Sequence, residues 1–368
     1  MRILFTGGGT GGHIFPIIAI SRVFDWTRGF QFYYLGPDGF AKKNLIGRGL
    51  KAKFIFAGKF RRYFSLSFPF DLIKIIIGII QSFWYLFRWV PDVIFSKGGY
   101  GSFPVILAAR IYRIPIILHE SDSAPGLANR ILAKFAKRII LSWSGSEQYF
   151  ANYRNKVVII GNPIRNYLTQ GIKEEGKRLF KITSNKPVVL ILGGSQGAQK
   201  INEIVLNTLP RLLQIAEIIH VSGEKNFKYV QKHSENSPGY HLYPFLNMDQ
   251  LKQAYAVADL IINRAGAGSI FEIAACAKPS ILIPLPKSAQ DHQKKNAYEF
   301  AASSEALAKG GPRAVVLEQQ NLTPNMFLDT ISDLISNPAK LKQMGERAKT
   351  FYNPKIPDLI KAEILKFA

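Results

Sequence analysis

An imidazole stands beside a run of glycines almost at the start of this chain: Gly7-Gly8-Gly9-Thr10-Gly11-Gly12 leads directly into His13. Glycines let a backbone approach a ligand closely, and the N–H groups that open a helix attract anions. A strand-like start (Ile3, Leu4, Phe5) precedes the run, and a helix-like stretch from Pro16 to Phe24 follows it. The combination reads as a cradle for a phosphate or a polar sugar, with a titratable group at its lip. Four more turns share this character: Gly98-Gly99-Tyr100-Gly101-Ser102, His119-Glu120-Ser121-Asp122, Gly193-Gly194-Ser195-Gln196-Gly197 and Arg264-Ala265-Gly266-Ala267-Gly268-Ser269. Each follows an apolar strand-like run. In an open parallel sheet such turns collect along one edge, where they offer many N–H donors to a diphosphate or to several hydroxyls.

The last of these turns opens a helix over 269–277, whose N-terminal dipole suits a diphosphate. Glu272, one turn in, would repel phosphate and instead suits a pair of ribose hydroxyls; charge complementarity to the helix dipole accounts for an acid there equally well. Further on, Pro284-Leu285-Pro286 leads to Asp291-His292-Gln293 and Asn296, polar groups that suit sugar hydroxyls or the start of a surface helix. Arg165, after Asn162-Pro163, would neutralise a phosphate if turned inward and would otherwise be solvated. Gly7, Gly9 and Gly12 also fit a dinucleotide fingerprint, with Asp38 posing as its ribose acid. On that turn alone a dinucleotide site stays open, but it leaves the four other turns unexplained.

The elements that must hold these turns alternate between strand-like and helix-like text. Strands are expected at 3–5, 32–35, 93–96, 116–118, 138–141 and 157–160, then in a second series at 188–192, 218–221, 241–243, 260–262, 280–283 and 314–316. Most are short, β-branched and apolar without alternation, as strands covered on both faces should be. Two such series predict an α/β fold of two Rossmann-like, doubly wound parallel-sheet domains facing across a cleft. The turn Gly161-Asn162-Pro163 places the boundary between 1–163 and 164–353. An amphipathic segment at about 354–368, set off by Pro354 and Pro357, is expected to form a helix returning to the first domain.

With 368 residues, 47% apolar and 20% charged, the chain can bury two full cores. Its single cysteine, Cys276, excludes an internal disulfide and lies in an apolar helical run that suggests a core position. No Cys/His cluster has zinc spacing and no Asp-x-Asp motif is present, so neither metal nor cofactor is expected. The net charge is +23, and it is uneven: residues 1–163 hold 22 Lys and Arg against 7 Asp and Glu. Such a field favours an anionic partner: nucleic acid, acidic lipid or phosphorylated substrate. The chain enters its first strand without an apolar leader, which predicts a cytoplasmic location.

One region departs from the alternation. From Phe60 to Val90 the text is dense in aromatic and aliphatic residues, among them Ile75, Ile76, Ile79, Phe83, Trp84 and Phe87, flanked by Lys59, Arg61, Arg62, Lys74 and Arg88. Its longest uncharged run, Ile75 to Phe87, has 13 residues, against about 20 for a membrane span. The composition points to an interfacial membrane patch rather than a transmembrane helix. A buried crossover helix is the alternative.

Seven ordered motifs, GGGTGGHIFP, SKGGYGSFPVILAA, HESDSAPGLANR, GNPIR, GGSQGAQKIN, NRAGAGSIFEIAACAKP and DHQKKNA, span nearly the whole chain. In this set the sequence resembles the MurG family of peptidoglycan N-acetylglucosaminyltransferases. The resemblance implies a GT-B fold and a peripheral enzyme at the cytoplasmic face of the cell membrane. It implies transfer of N-acetylglucosamine from UDP-GlcNAc to the C4 hydroxyl of the muramyl sugar in lipid I, with inversion, giving lipid II. It places Thr10, Gly11 and Gly12 at the donor sugar and makes His13 a candidate general base, with Glu120 orienting it or acting in its stead. Arg165 and Ser195 would face the donor diphosphate, and Ala267, Gly268 and Ser269 would line it. Leu246 would meet the uracil through its backbone, Glu272 the ribose, and Gln293 the sugar hydroxyls.

The chain departs from the family where His-Glu-Gln-Asn is usual, reading His119-Glu120-Ser121-Asp122. The family's Asn contacts the donor sugar, whereas an ionised Asp122 accepts hydrogen bonds without donating. Rival expectations are a lipid glycosyltransferase with a diacylglycerol or other polyprenyl acceptor, and a UDP-GlcNAc epimerase of the same fold. A nucleic-acid-binding protein is disfavoured, because no aromatic stacking module accompanies the positive charge.

Overall fold

The computed structural model describes residues 1–24, 26, 29–47, 49–58, 68–193, 198–234, 237–302 and 311–367. It divides into two compact units, Met1–Arg165 with Pro354–Ala368, and Asn166–Asn353.

The first unit is built on β1 (Arg2–Thr6), β2 (Gln31–Gly36), β3 (Lys51–Phe54), β4 (Val93–Ser96), β5 (Ile116–Glu120), β6 (Arg138–Leu141) and β7 (Val157–Ile159). All are parallel, in the order β3-β2-β1-β4-β5-β6-β7. Leu4 of β1 sits between Tyr33 of β2 and Ile94 of β4. Leu4, Leu35, Ile94, Val105, Leu118 and Ile139 pack in one core. These strands have helices on their faces, which is why the text of the central ones is apolar rather than alternating.

The second unit repeats the plan with β8 (Val188–Leu192), β9 (Glu217–Val221), β10 (Tyr240–Tyr243), β11 (Leu260–Asn263), β12 (Ser280–Leu282) and β13 (Ala314–Val316). Its order is β10-β9-β8-β11-β12-β13, again all parallel. Val189, Ile191, Ile204, Ile218, Ile262, Ile281 and Phe327 form its core. In both sheets the order reverses beside the first strand, between β1 and β4 and between β8 and β11. At such a switch point the crevice beyond the strand ends takes ligands.

One strand was not anticipated. β3 reads Lys51-Ala52-Lys53-Phe54, pairs with β2 alone among the described residues and exposes both lysines. An edge strand carrying lysines resists pairing with another chain, and that same charge hides it from a search for apolar runs.

The C-terminal helix Ile356–Leu365 belongs to the first unit. Ile356, Ile360 and Ile364 are buried, Glu363 pairs with Arg138 of β6 at 2.7 Å, and the Lys361 ammonium donates to the Val23 carbonyl at 2.9 Å.

The apolar region forms one helix, Phe68–Trp89, and residues 59–67 ahead of it lie outside the described residues. It is longer than the uncharged run implied, because Asp71, Lys74 and Arg88 are accommodated within it. By length and composition Pro69–Trp89 could cross a membrane, with a mean hydropathy of 1.6. One face, however, packs into the first unit: Asp71, Ile75, Ser82 and Leu86 are buried. A Cβ on Gly78 would lie 2.0 Å from the Phe56 carbonyl oxygen, so backbone meets backbone there. Ile75 therefore belongs to the packing face and not to the exposed patch. Ile79 and Phe83 are half-buried, while Ile76, Trp84 and Phe87 are exposed together with Phe70, Leu72, Ile73 and Ile80.

Candidate active site

In the first unit the glycine turn after β1 and the turn after β4 touch across the switch point. A Cβ on Gly8 would lie 3.1 Å from the Gly101 amide nitrogen, and one on Gly9, whose φ is +55°, would lie 2.9 Å from the Tyr100 hydroxyl. A side chain at Gly8 would press on the Gly101 backbone, and one at Gly9 would displace the Tyr100 ring and strain the backbone. The Tyr34 hydroxyl donates to the Gly7 carbonyl at 2.9 Å and fixes the turn from below.

The helix Gly11–Ser21 starts from this turn with Thr10 as its N-cap residue, which puts Gly11, Gly12 and His13 in the first turn. The Thr10 hydroxyl and His13 Nδ1 are 3.0 Å apart. Nε2 points toward Gly99: a Cβ on that residue would be 3.0 Å from it. The Thr10 hydroxyl can accept from Nδ1–H, the tautomer that places the lone pair on Nε2.

Glu120, at the end of β5, is almost fully buried. Its Oε1 accepts the Asp122 amide at 2.9 Å and its Oε2 accepts the Asn129 side-chain amide at 2.7 Å. Asn129 Oδ1 in turn accepts the Gly99 amide at 3.1 Å. Glu120 thus bears on the His13 lip through Asn129 and Gly99. Burial first, and the Asp122 charge second, push its carboxyl well above the usual range. Asp122 is half-buried beside it. Arg165 closes the first unit with its guanidinium over the Phe15 ring, 4.5 Å from the centroid.

Lys97 lies at the root of this rim and is 2% exposed. Its ammonium reaches His119 Nδ1, Ser121 Oγ and, at 3.3 Å, Asn162 Oδ1. His119 Nε2 is 3.1 Å from the Gly161 carbonyl, so its proton sits there. Burial lowers Lys97 to about 7, against the opposing pull of Glu120 and then Asp122.

The second unit gathers its residues along its own strand ends. The helix Ala267–Ala275 opens at Gly266, so Ala267, Gly268 and Ser269 present its first N–H groups. The turn before it is fixed from two sides. Arg264 donates to the Ile283 carbonyl at 3.1 Å, and Asn296 donates to the Ala265 carbonyl at 3.2 Å. Glu272 is buried on the same helix. Gln293 uses its carbonyl to accept the Leu285 amide at 2.9 Å. Leu246 is buried just ahead of the helix Met248–Val257, where Asn247 and Gln250 form a reciprocal cap. Ser195 and its neighbours 194–197 lie outside the described residues.

Thus Thr10, Gly11, Gly12, His13, Glu120, Asp122 and Arg165 belong to the first unit, and Leu246, Ala267, Gly268, Ser269, Glu272 and Gln293 to the second. Sequence reading overlooked Lys97, Tyr100 and Asn129. Tyr100 and Lys97 flank the Gly98-Gly99 turn, so the turn itself was the available signal.

Two family models match the chain: the glycosyltransferase family 28 N-terminal domain over residues 3–141 and the glycosyltransferase family 28 C-terminal domain over residues 188–360. A UDP-N-acetylglucosamine–N-acetylmuramyl-(pentapeptide) pyrophosphoryl-undecaprenol N-acetylglucosamine transferase of Treponema denticola is 34% identical, covering 99% of this chain and 97% of that relative. The Halothermothrix orenii protein of the same name is 36% identical, covering 96% and 95%. Among solved structures, Acinetobacter baumannii MurG superposes with a TM-score of 0.74 at 25% identity, covering 99% of both chains. A UDP-GlcNAc 2-epimerase from Neisseria meningitidis bound to UDP-GlcNAc reaches 0.67 at 15% identity over 100% of both chains, a likeness of fold alone.

Proposed function

The chain belongs to glycosyltransferase family 28, and from that membership and its two glycine-lined rims we propose how it works as the N-acetylglucosaminyltransferase of lipid II synthesis. It is a GT-B glycosyltransferase that moves N-acetylglucosamine from UDP-GlcNAc to the lipid I acceptor.

The observation that carries the residue assignment is the seating of His13. Its Nδ1 is tied to Thr10 and its Nε2 is turned to a residue without a side chain. That arrangement fixes the ring at the lip of the glycine turn, as a general base requires. His13 removes the proton from the C4 hydroxyl of the muramyl sugar as that oxygen attacks the anomeric carbon. Glu120 and Asn129 hold the Gly99 amide in place. The glycine turn Gly7–Gly12 and Thr10 receive sugar and diphosphate oxygens.

In the second unit the N–H groups of Ala267, Gly268 and Ser269 face the diphosphate and stabilise charge as UDP departs. Arg165 and Ser195 offset that charge. Glu272 takes the ribose hydroxyls, the backbone at Leu246 takes the uracil, and the Gln293 amide takes sugar hydroxyls. The first unit, which runs to Arg165 rather than to the expected boundary at 163, is the acceptor and membrane unit, and the second the nucleotide-sugar unit. The exposed stripe of the helix Phe68–Trp89 rests on the anionic cytoplasmic membrane surface, where the carrier lipid is found.

The test is incubation with UDP-GlcNAc and lipid I in mixed micelles, followed by mass spectrometry of the lipid. Gain of one N-acetylhexosamine on lipid I is expected, with none on diacylglycerol. Conversion of UDP-GlcNAc to an epimer without an acceptor would overturn the reading.

A further inference from the structure

Lys97 is a buried ammonium whose three hydrogen-bond acceptors, His119, Ser121 and Asn162, are all neutral. A buried cation normally sits against a carboxylate, because desolvating a charge without a counter-charge is expensive. Here the counter-charges are one step further out. Glu120 and Asp122 are the two acids that bear on Lys97 through space. They also bear on each other, and the Asp122 amide donates to Glu120. Two acids two residues apart, at a rim meant for a diphosphate substrate, would repel it. One cation beneath them halves that burden.

The position of the cation fits this task. The Lys97 Cβ lies 3.0 Å from where a Gly7 Cβ would be, so its stem passes directly under the glycine turn. Its ammonium also ties the end of β5, through His119 and Ser121, to Asn162 in the turn after β7. His119 itself stays neutral, since burial and then Lys97 hold it well below its ordinary range. The site therefore places one cationic side chain below the glycine turn and two acids beside it.

We propose that Lys97 is the charge-balancing and positioning residue of the donor site, matched to Asp122, so that the acid at that place is compatible with binding UDP-N-acetylglucosamine. Lys97 touches no substrate; it acts through the potential at the rim and through the placement of Asp122. The proposal rests on the transferase reading for its substrate.

The test is a double-substitution cycle of Lys97→Met and Asp122→Asn, read by steady-state kinetics and by thermal unfolding. K97M alone is expected to raise KM for UDP-GlcNAc about tenfold, with a smaller change in kcat, since an uncompensated acid pair weakens anion binding. Added to D122N, the same substitution is expected to change KM no more than about twofold, because the acid it balanced is gone. The melting temperature should follow the same pattern, K97M losing several degrees that K97M/D122N largely recovers. Equal effects of K97M with and without D122N overturn the pairing, as does a double variant that fails to fold whenever K97M does. Should the unsubstituted enzyme make no product, the transferase reading fails, and the four melting temperatures still decide whether Lys97 and Asp122 are coupled.

Discussion

His13 lies against Gly99, close enough that a Cβ on the glycine would stand 3.0 Å from Nε2. Gly99 also has φ of +75°, a conformation that a side chain strains. Gly99→Ala is therefore expected to displace the imidazole from a hydroxyl placed at Nε2. We expect kcat to fall at least about tenfold, and His13→Ala to lower it by about 10² to 10⁴, the usual range for losing a general base. UDP binding, measured by calorimetry, should be unchanged in both, since neither residue is assigned to the nucleotide or its diphosphate. Equal loss of turnover and nucleotide affinity would remove His13 from the role of base.

His220 is expected to make the second unit sensitive to acid. It is fully buried, with Nδ1 accepting from the Tyr240 hydroxyl at 2.6 Å and Nε2–H donating to Asn202 at 3.0 Å. Burial lowers it from 6.5 to about 3. Between those values the unfolded chain binds a proton that the folded unit does not, so stability is lost as pH falls through that window. The loss is about 1.4 kcal/mol per pH unit from this group. His119 in the first unit acts in the same direction, so the informative quantity is a difference. Denaturant midpoints between pH 6.5 and 4.5 should fall less steeply for His220→Gln than for the unsubstituted chain. Identical slopes would show that His220 takes up its proton without unfolding.

The parts of the site that were legible in the sequence are those carried by local backbone chemistry. A glycine turn after an apolar run announces a strand end and a ligand-facing loop, whatever the rest of the chain does. The β1, β4 and β11 turns were readable for that reason, and the helix expected over 269–277 was found two residues earlier, at Ala267–Ala275. What stayed hidden depends on partners distant in sequence. Lys97 reads as a surface charge until His119, Ser121 and Asn162 arrive from 22, 24 and 65 residues away. Glu120 reads as a free acid until Asn129 and the Asp122 amide occupy its two oxygens. β3 was missed because an edge strand needs lysines more than it needs apolar text. The helix Phe68–Trp89 was underestimated because counting uncharged residues stops at Lys74 and Arg88, whereas long cationic side chains at a helix periphery reach water without ending the helix.

That helix supports a separable prediction about the membrane. Leu86 and Ile75 anchor its inner face, so substitutions on the outer face should leave the fold intact. Ile73, Ile76, Ile80, Trp84 and Phe87 recur at helical spacing and are all exposed, with Lys74 and Arg88 exposed among them. An apolar stripe edged by cations inserts into the headgroup boundary of an anionic leaflet. Burying one large apolar side chain is worth about 1.5–3 kcal/mol. Replacing Ile80, Trp84 and Phe87 together with serine should therefore weaken binding to vesicles containing anionic lipid by at least about 1,000-fold, the three contributions being roughly additive. Salt should weaken the unsubstituted protein's binding, and neutral vesicles should bind it less. Turnover on a short-chain, water-soluble acceptor should survive the triple substitution, because none of the three residues lies on the His13 rim. If the triple variant sediments with anionic vesicles as fully as the parent, the exposed stripe is not the membrane contact. If turnover on the soluble acceptor falls along with binding, the helix serves the active site rather than the lipid surface.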